Sequence, residues 1–261
     1  MGLRWAVLVL VVLVACSTAA AESGTDAGAP LGGSWMEKLD LDGGGVAYVA
    51  PPLGSTEPRP VVVAVHGAFD HPGLMCSAWR VIVDTYAFVV CPAGSKGGKD
   101  TYVWPSSDAI DKATDAALAA VRAKYGARVK AGPAVYAAFS QGANMAAPVL
   151  GAANKGRFAR AALTEGGYRA FEDGGLARAF VKAGGKRVLY TCSQGGCTGS
   201  FAGSKAALVQ AGAEVRVESP GAFGHSMVPE VRASLNRSLP WLVDGLSGWE
   251  GYAAAPKLAS H

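Results

Sequence analysis

The chain has 261 residues, with 24 Lys and Arg against 20 Asp and Glu, which gives a net charge of +4. Half of the residues are hydrophobic, enough to bury the core of one large α/β domain or of two small ones. No cluster of Lys or Arg stands out along the chain. The composition therefore gives no support for a nucleic-acid partner, which would require a concentrated basic face.

The N-terminal segment is interpreted as an export signal. Residues 5–14 form an uninterrupted apolar run, far shorter than the roughly 20 residues that span a bilayer as a helix. The run ends in Leu13-Val14-Ala15-Cys16, which resembles the lipobox of bacterial lipoproteins. The resemblance implies cleavage before Cys16, acylation of that cysteine and attachment to the cell envelope, and by analogy Ser17 favours the outer membrane. Cleavage of an ordinary secretory signal after Ala21 is the alternative.

Four segments are predicted along the chain. They are a signal peptide over residues 1–15, a flexible tether over 16–34, an α/β domain over 35–248 and a loose tail over 249–261. The tether is polar and the tail is rich in Ala and Gly, which is typical of segments outside a packed core. We expect a monomer that meets the membrane through the lipid on Cys16.

Strand-like and helix-like segments alternate through the domain, beginning with an antiparallel edge strand at Val46–Val49 and the buried strand Val61–Val65. Later strands are predicted up to Cys91 and at 134–139, 159–164, 187–191 and 215–218. Helices are predicted at 76–85, 108–125 with Ser107 as its cap, after Ser140, and at 175–183, 204–211 and 229–243 with a break at Pro240. The alternation predicts an α/β fold, a doubly wound and mostly parallel sheet with helices on both faces.

Cysteine usage agrees with export. Without Cys16, four cysteines remain, Cys76, Cys91, Cys192 and Cys197, and an even number is typical of disulfides in an oxidising compartment. Three pairings are possible, and proximity along the chain favours Cys76 with Cys91 and Cys192 with Cys197. Two free thiols or a reactive pair are the alternative for the second pair.

The most informative segment runs from Ala134 to Met145. An apolar strand ends at Ser140, and a helix-like segment follows at once. A nucleophile needs this sharp strand-to-helix turn, in which Ala138 and Gly142 are small enough for the two segments to approach each other. The turn would leave the amide of Gln141 free to donate to an oxyanion.

Two further segments follow strands whose carboxyl ends should meet Ser140. His66-Gly67-Ala68 comes after the first buried strand, and Gly224-His225 lies on the loop after the last one. The amide of Ala68 could complete an oxyanion hole, while His66 is expected to shape its turn. The imidazole of His225 has the right intrinsic pKa to act as the base for a serine.

These motifs, in this order, resemble the α/β-hydrolase superfamily over roughly Val46 to Leu246, and especially its secreted esterase, depolymerase and dienelactone-hydrolase-like members. The resemblance implies an acyl-enzyme at Ser140, His225 as general base and acid, and an oxyanion hole formed by the Ala68 and Gln141 amides. It implies no cofactor. Ala138 stands where the commonest form of the motif has glycine.

Members of this superfamily ordinarily have a third catalytic residue, a carboxylate that contacts the histidine, and here the sequence departs from their pattern. Residues 191–198, where most members carry a carboxylate, contain neither Asp nor Glu. Glu165, at the end of the preceding strand, is the candidate that would fix the tautomer of His225. Three alternatives stay open: Glu165 only organises its loop, Glu172 or Asp173 takes the role, or Ser193 or Gln194 orients His225 without a charge.

The substrate is predicted only by class. Four aromatic residues on loops could line an acyl pocket, Phe69, Trp104, Tyr168 and Phe223. An ester, small or polymeric, is the leading substrate, and a peptide would use the same residues. No metal-binding motif is present in the sequence, so we predict no metal. The alternative function is a catalytically inactive hydrolase fold that serves as a surface-binding lipoprotein.

Overall fold

The computed structural model describes Met1 and residues 28–252. The predicted signal peptide, Cys16, the alternative cleavage site at Ala21 and residues 253–261 lie outside this part, so these predictions remain predictions. Within residues 28–252, no helix combines the length and the apolar character that crossing a membrane requires.

Eight strands form one sheet in the order β1-β2-β4-β3-β7-β8-β9-β10. Neighbours are parallel from β4 to β10, and β1 and β2 add an antiparallel edge. This confirms the predicted mostly parallel sheet. The strands are β1 Glu37–Asp40, β2 Val46–Ala50, β3 Val61–Val65, β4 Phe88–Pro92, β7 Ala134–Phe139, β8 Phe158–Thr164, β9 Arg187–Thr191 and β10 Glu214–Glu218, while β5 Ser95–Lys96 and β6 Tyr102–Val103 form a separate hairpin.

Helices cover both faces of the sheet, which explains why central strands such as β3 are buried along their whole length. The helices are α1 Pro72–Val83, α2 Ser107–Tyr125, α3 Gln141–Asn144, α4 Ala146–Leu150, α5 Gly174–Lys182, α6 Ala202–Ala211 and α7 Pro229–Val243. One core cluster joins the sheet to α2, α4, α5 and α6, and a second joins it to α1 and α7. The domain therefore has two cores separated by the sheet.

Two helix details differ from the sequence prediction. The N-cap of α2 is Ser106, whose hydroxyl accepts the amide of Ala109 at 3.2 Å, and not Ser107. Helix α7 continues through Pro240 without a break. Leu235, Leu239 and Leu242 are all buried, so packing on both sides of the proline offsets the loss of one backbone donor.

The folded region extends beyond both predicted boundaries. Leu31, in the expected tether, exchanges backbone hydrogen bonds with Gly54 and Ser55. At the other end, Trp249 and Tyr252 are buried, and their ring centroids lie 5.5 and 5.0 Å from that of Tyr86. Trp249 and Tyr252 therefore belong to the core, and the chain is not a loose tail from residue 249 onward. The prediction missed this because it considered the Ala- and Gly-rich composition and not the apolar area of these two aromatic side chains.

Both predicted cysteine pairs lie at disulfide-bonding distance. The Cα atoms of Cys76 and Cys91 are 5.8 Å apart, and this bond ties α1 to β4 inside the core. The Cα atoms of Cys192 and Cys197 are 6.3 Å apart, and their bond closes a small ring directly after β9. The second ring contains Ser193 and Gln194, which matter for the site described next.

Candidate active site

The carboxyl ends of five parallel strands meet at one edge of the sheet, where α/β proteins carry their chemistry. His66 follows β3, Ser140 follows β7, Glu165 follows β8, Gln194 comes shortly after β9, and His225 lies on the loop after β10. Residues far apart in the sequence are thereby brought to one place.

Ser140 sits on the predicted sharp turn. Its φ of 51° lies in the left-handed region that non-glycine residues rarely adopt, and its amide donates to Thr164 O at 3.0 Å. A side chain at Gly142 would place its Cβ only 2.7 Å from Val65 Cγ1 and 2.8 Å from His66 O. The glycine is therefore required for the start of α3 to pack against β3, as the sequence pattern indicated.

His225 contacts the serine directly. Its Nε2 lies 2.7 Å from Ser140 Oγ, and its ring centroid lies 5.0 Å from that of Phe139. The loop is held in place because the amides of Phe223 and Gly224 both donate to Ser193 O, at 2.8 and 3.1 Å. The imidazole is thus positioned by an anchored loop.

Glu165 does not contact His225. The carboxylate is 1% exposed, and it accepts the Ser193 amide and hydroxyl, each at 2.6 Å, and the Gln194 Nε2 at 3.0 Å. The predicted direct contact is absent because the loop after β9 lies between the two side chains. Of the alternatives left open by the sequence, Gln194 is the side chain that reaches His225, with Nε2 at 3.0 Å from Nδ1.

The two reserve carboxylates have other partners. Glu172 accepts from Arg169 Nε at 2.8 Å, and Asp173 caps α5 by accepting the Gly175 amide at 2.8 Å. Neither forms a hydrogen bond with His225 in the described part of the chain. None of the three candidate carboxylates, Glu165, Glu172 and Asp173, therefore stands at His225 Nδ1.

On the side of Ser140 away from His225, a chain of hydrogen bonds holds the segment after β3. The Gly94 amide donates to His66 Nε2 at 3.0 Å, so His66 Nδ1 carries the proton that it donates to Gly67 O at 2.7 Å. Trp104 Nε1 donates to His66 O at 3.0 Å, and the Gln141 side chain both accepts from and donates to the backbone of Trp104, at 2.9 and 3.0 Å. We call these four residues, His66, Gly94, Trp104 and Gln141, the His66 network.

The His66 network fixes the two segments that carry the proposed oxyanion donors. Within the described residues, the amides of Ala68 and Gln141 have no hydrogen-bond acceptor, so both are free to donate to a ligand. Burial lowers the pKa of His66 below its ordinary value, which keeps the ring neutral. Sequence reasoning did not find the bond between Gln141 and Trp104, because a 37-residue separation leaves no local signal.

The four aromatic residues predicted to line an acyl pocket lie in different environments. Trp104 is not an open pocket wall: its ring is buried and stacks on His66 at 4.7 Å. Phe69 and Phe223 are 68% and 42% exposed, on the loops that carry the Ala68 amide and His225. Tyr168 lies in an open cleft of about 570 Å³ that is also lined by Asn144, Arg169, Glu172, Gly199, Ser200, Ala202 and Gly203.

His71 has a structural role outside the candidate active site. His71 caps α1, with its Nδ1 accepting the Gly73 amide at 3.0 Å. Residues 28–252 contain no group of three His, Cys, Asp or Glu side chains arranged to hold a metal ion.

Neither a family model nor a curated protein matches the chain, whereas many solved structures share its architecture. A carboxylesterase from Mesorhizobium loti is 18% identical, covers 79% of this chain and 99% of its own, and superposes with a TM-score of 0.53. The chain has the α/β-hydrolase fold.

Two other solved structures with this fold have names that indicate different hydrolases. The fluorophosphonate-binding serine hydrolase F of Staphylococcus aureus has a TM-score of 0.57 at 11% identity, covering 83% of this chain and 99% of its own. Poly(aspartic acid) hydrolase-1 of Sphingomonas sp. KT-1 also has a TM-score of 0.57, at 12% identity, covering 79% and 98%. Identities this low show a shared α/β-hydrolase fold and leave the activity to be argued from the site.

Proposed function

We propose that the protein is an exported serine hydrolase that cleaves carboxylic esters through an acyl-enzyme at Ser140. The observation that carries the proposal is the 2.7 Å contact between Ser140 Oγ and His225 Nε2 at a turn whose serine has a φ of 51°. Backbone strain of this kind persists where surrounding structure enforces it, and it is concentrated at functional sites.

The proposed reaction has two proton-balanced halves. Ser140 Oγ attacks the ester carbonyl while His225 Nε2 takes the hydroxyl proton, and the Ala68 and Gln141 amides stabilise the oxyanion. The imidazolium then protonates the departing alkoxide, which leaves as an alcohol. A water molecule attacks the acyl-enzyme, again giving its proton to His225, and the carboxylic acid is released as Ser140 recovers its proton.

The proposed substrate is an ester with apolar groups, which would bind at the exposed surface beside Ser140. The exposed side chains of Phe69 and Phe223 would contact such groups beside the reacting carbonyl. A polyester or a peptide would use the same nucleophile and base. The similar folds of proteins named carboxylesterase and poly(aspartic acid) hydrolase are compatible with either bond type.

Fluorophosphonate labelling tests the proposal, because the probe reacts with an activated serine. We expect the wild type to be labelled and hydrolysis of p-nitrophenyl butyrate to be measurable. Ser140→Ala and His225→Ala should each lose labelling and about 10²-fold or more in kcat. Ser247→Ala, which changes an exposed serine on the loop after α7, is the matched control and should behave as the wild type.

The second candidate function is a catalytically inactive surface-binding protein with the same fold. The observation that favours it is the neutral amide of Gln194 at His225 Nδ1, where a carboxylate would ordinarily stabilise the imidazolium. A folded protein that shows neither labelling nor ester hydrolysis, in the wild type and in the double variant Glu165→Gln/Gln194→Glu, would decide for the binding protein.

We also propose export and lipid anchoring through Cys16. The apolar run over residues 5–14 and the following cysteine support it, as do two cysteine pairs at bonding distance, since disulfides persist in oxidising compartments. Radiolabelled palmitate should be incorporated into the wild type and not into Cys16→Ala. Absence of label from the wild type, together with a mature N-terminus at residue 22, would replace the anchor with ordinary secretion.

A further inference from the structure

The amide of Gln194 is half-buried and lies between the buried Glu165 and the exposed His225. Its Nε2 is 3.0 Å from Glu165 Oε2, 2.9 Å from Tyr168 Oη and 3.0 Å from His225 Nδ1. We call these residues, with Ser193, the Gln194 network. The ring closed by Cys192 and Cys197 contains Gln194, so the loop that carries this amide is restrained.

Glu165 determines which end of the Gln194 amide faces inward. A carboxylate can only accept hydrogen bonds. Glu165 already accepts the amide of Ser193 at 2.6 Å, and it shares the single hydroxyl hydrogen of that serine with Gly224 O, the two acceptors lying 2.6 and 2.7 Å from Ser193 Oγ. The amide oxygen of Gln194 in the same position would place two acceptors 3.0 Å apart in a site with almost no solvent. The nitrogen is therefore the end that faces Glu165, and with it His225.

The orientation of the amide in turn determines the tautomer of His225. An amide nitrogen only donates, and its two hydrogens can serve only two of its three neighbours. The hydroxyl hydrogen of Tyr168 can turn away from this nitrogen, whereas a proton on Nδ1 would point at the amide hydrogens from 3.0 Å, so Nδ1 is the unprotonated nitrogen. In a neutral imidazole the proton then resides on Nε2, which donates to Ser140 Oγ at 2.7 Å. This is the opposite of the arrangement at His66, whose Nε2 accepts the Gly94 amide and whose Nδ1 donates.

We propose that Glu165 and Gln194 hold His225 in the Nε2–H tautomer, which cannot accept the proton of Ser140, so that the hydrolase rests in a low-activity state. The inference rests on the proposed function and makes Gln194 a positioning residue. Entry into turnover requires the exposed ring to lose the Nε2 proton to water and to gain one at Nδ1 from water. The amide must also turn its oxygen toward Nδ1, which breaks its bond to Glu165.

The tautomer can be observed in the resting wild type by ¹⁵N NMR of the imidazole nitrogens, at a pH where the ring is neutral. We expect a pyrrole-type shift at Nε2 and a pyridine-type shift at Nδ1 of His225, with the opposite pattern at His66 in the same spectrum. His225→Asn and His66→Gln identify the two sets of signals. A proton on Nδ1 of His225 would overturn the proposal, whatever the activity.

Exchanging the side chains of Glu165 and Gln194 should shift His225 to the Nδ1–H tautomer. In the double variant Glu165→Gln/Gln194→Glu, the amide introduced at 165 can accept from Ser193 and donate to the carboxylate introduced at 194. That carboxylate can only accept, so it favours the Nδ1–H tautomer and leaves Nε2 free for the Ser140 proton. An amide in place of this carboxylate costs a serine protease about 10⁴-fold in kcat, so we expect the exchange to raise kcat by about 10²-fold or more.

The kinetic readout includes the pH profile, which a purely structural role would not move. A carboxylate in contact with His225 stabilises the imidazolium, so the acid limb of kcat/KM should move upward by about one pH unit or more. An unchanged kcat and an unchanged acid limb, in a variant that melts like the wild type, would refute the proposal. A double variant that carries its proton on Nδ1 of His225 and is still not labelled by fluorophosphonate would refute the proposed function alone.

Discussion

The His66 network and the Gln194 network flank the same serine, and each combines one histidine with one glutamine. In the His66 network every hydrogen bond has a backbone group as one of its partners. In the Gln194 network the bonds to Glu165 Oε2, Tyr168 and His225 join side chains to one another. The first network consequently has one arrangement that the fold enforces, whereas the second can reorganise by turning one amide and moving one proton.

This difference assigns separate tasks to the two sides of the turn. A neutral, buried His66 whose partners are peptide groups maintains the shape of the proposed oxyanion loop. An exposed His225 with side-chain partners can exchange its proton with solvent and with Ser140. Stability should therefore depend on both networks, but the proton transfer only on the Gln194 network.

The largest stability effect is expected for Ser193→Ala, which removes the hydroxyl donor that Glu165 Oε1 and Gly224 O share, at 2.6 and 2.7 Å. Hydrogen bonds to a charged group contribute about 1.5–3 kcal/mol, and the carboxylate is 1% exposed, so water cannot replace the donor. We expect the free energy of unfolding in urea to fall by about 2 kcal/mol. Ser200→Ala, at an exposed position, is the control, and equal effects of the two variants would contradict the expectation.

A smaller effect is expected for Trp104→Phe in the His66 network. The change removes the bond from Trp104 Nε1 to His66 O, which joins neutral groups and should contribute about 1 kcal/mol, with additional loss of packing. Urea unfolding measures it, with Trp35→Phe at a 51% exposed position as the control. An unchanged free energy of unfolding would contradict the expectation.

The smallest effect is a pH dependence of stability that arises from His66. Burial lowers its pKa in the folded state below the ordinary 6.5, so the unfolded chain binds more protons once the pH falls below 6.5. Stability due to this residue is therefore complete above that pH and declines as the pH falls. Between pH 7.5 and 5.5, His66→Gln should lose less free energy of unfolding than the wild type, and an equal or larger loss would contradict the assignment.

The elements that local patterns define were predictable from the sequence. The buried run of β3 predicted a strand of the sheet, and the small residues around Ser140 predicted the sharp turn. Both features depend on neighbours only a few positions away in the chain. The position of His225 after the last strand followed from the parallel topology, which collects carboxyl ends at one edge. The burial of Trp249 and Tyr252 was not predictable, since it depends on Tyr86, more than 160 residues earlier in the chain.

By itself, the sequence determined the α/β order, the serine at the turn and the histidine on the final loop, because chain order and side-chain size are sufficient for each. Only the tertiary structure decided that Gln194, and not Glu165, faces the outer nitrogen of that histidine. The reason is geometric: three loops from β8, β9 and β10 converge there, and the Ser193 segment occupies the space that a direct contact between carboxylate and imidazole would need.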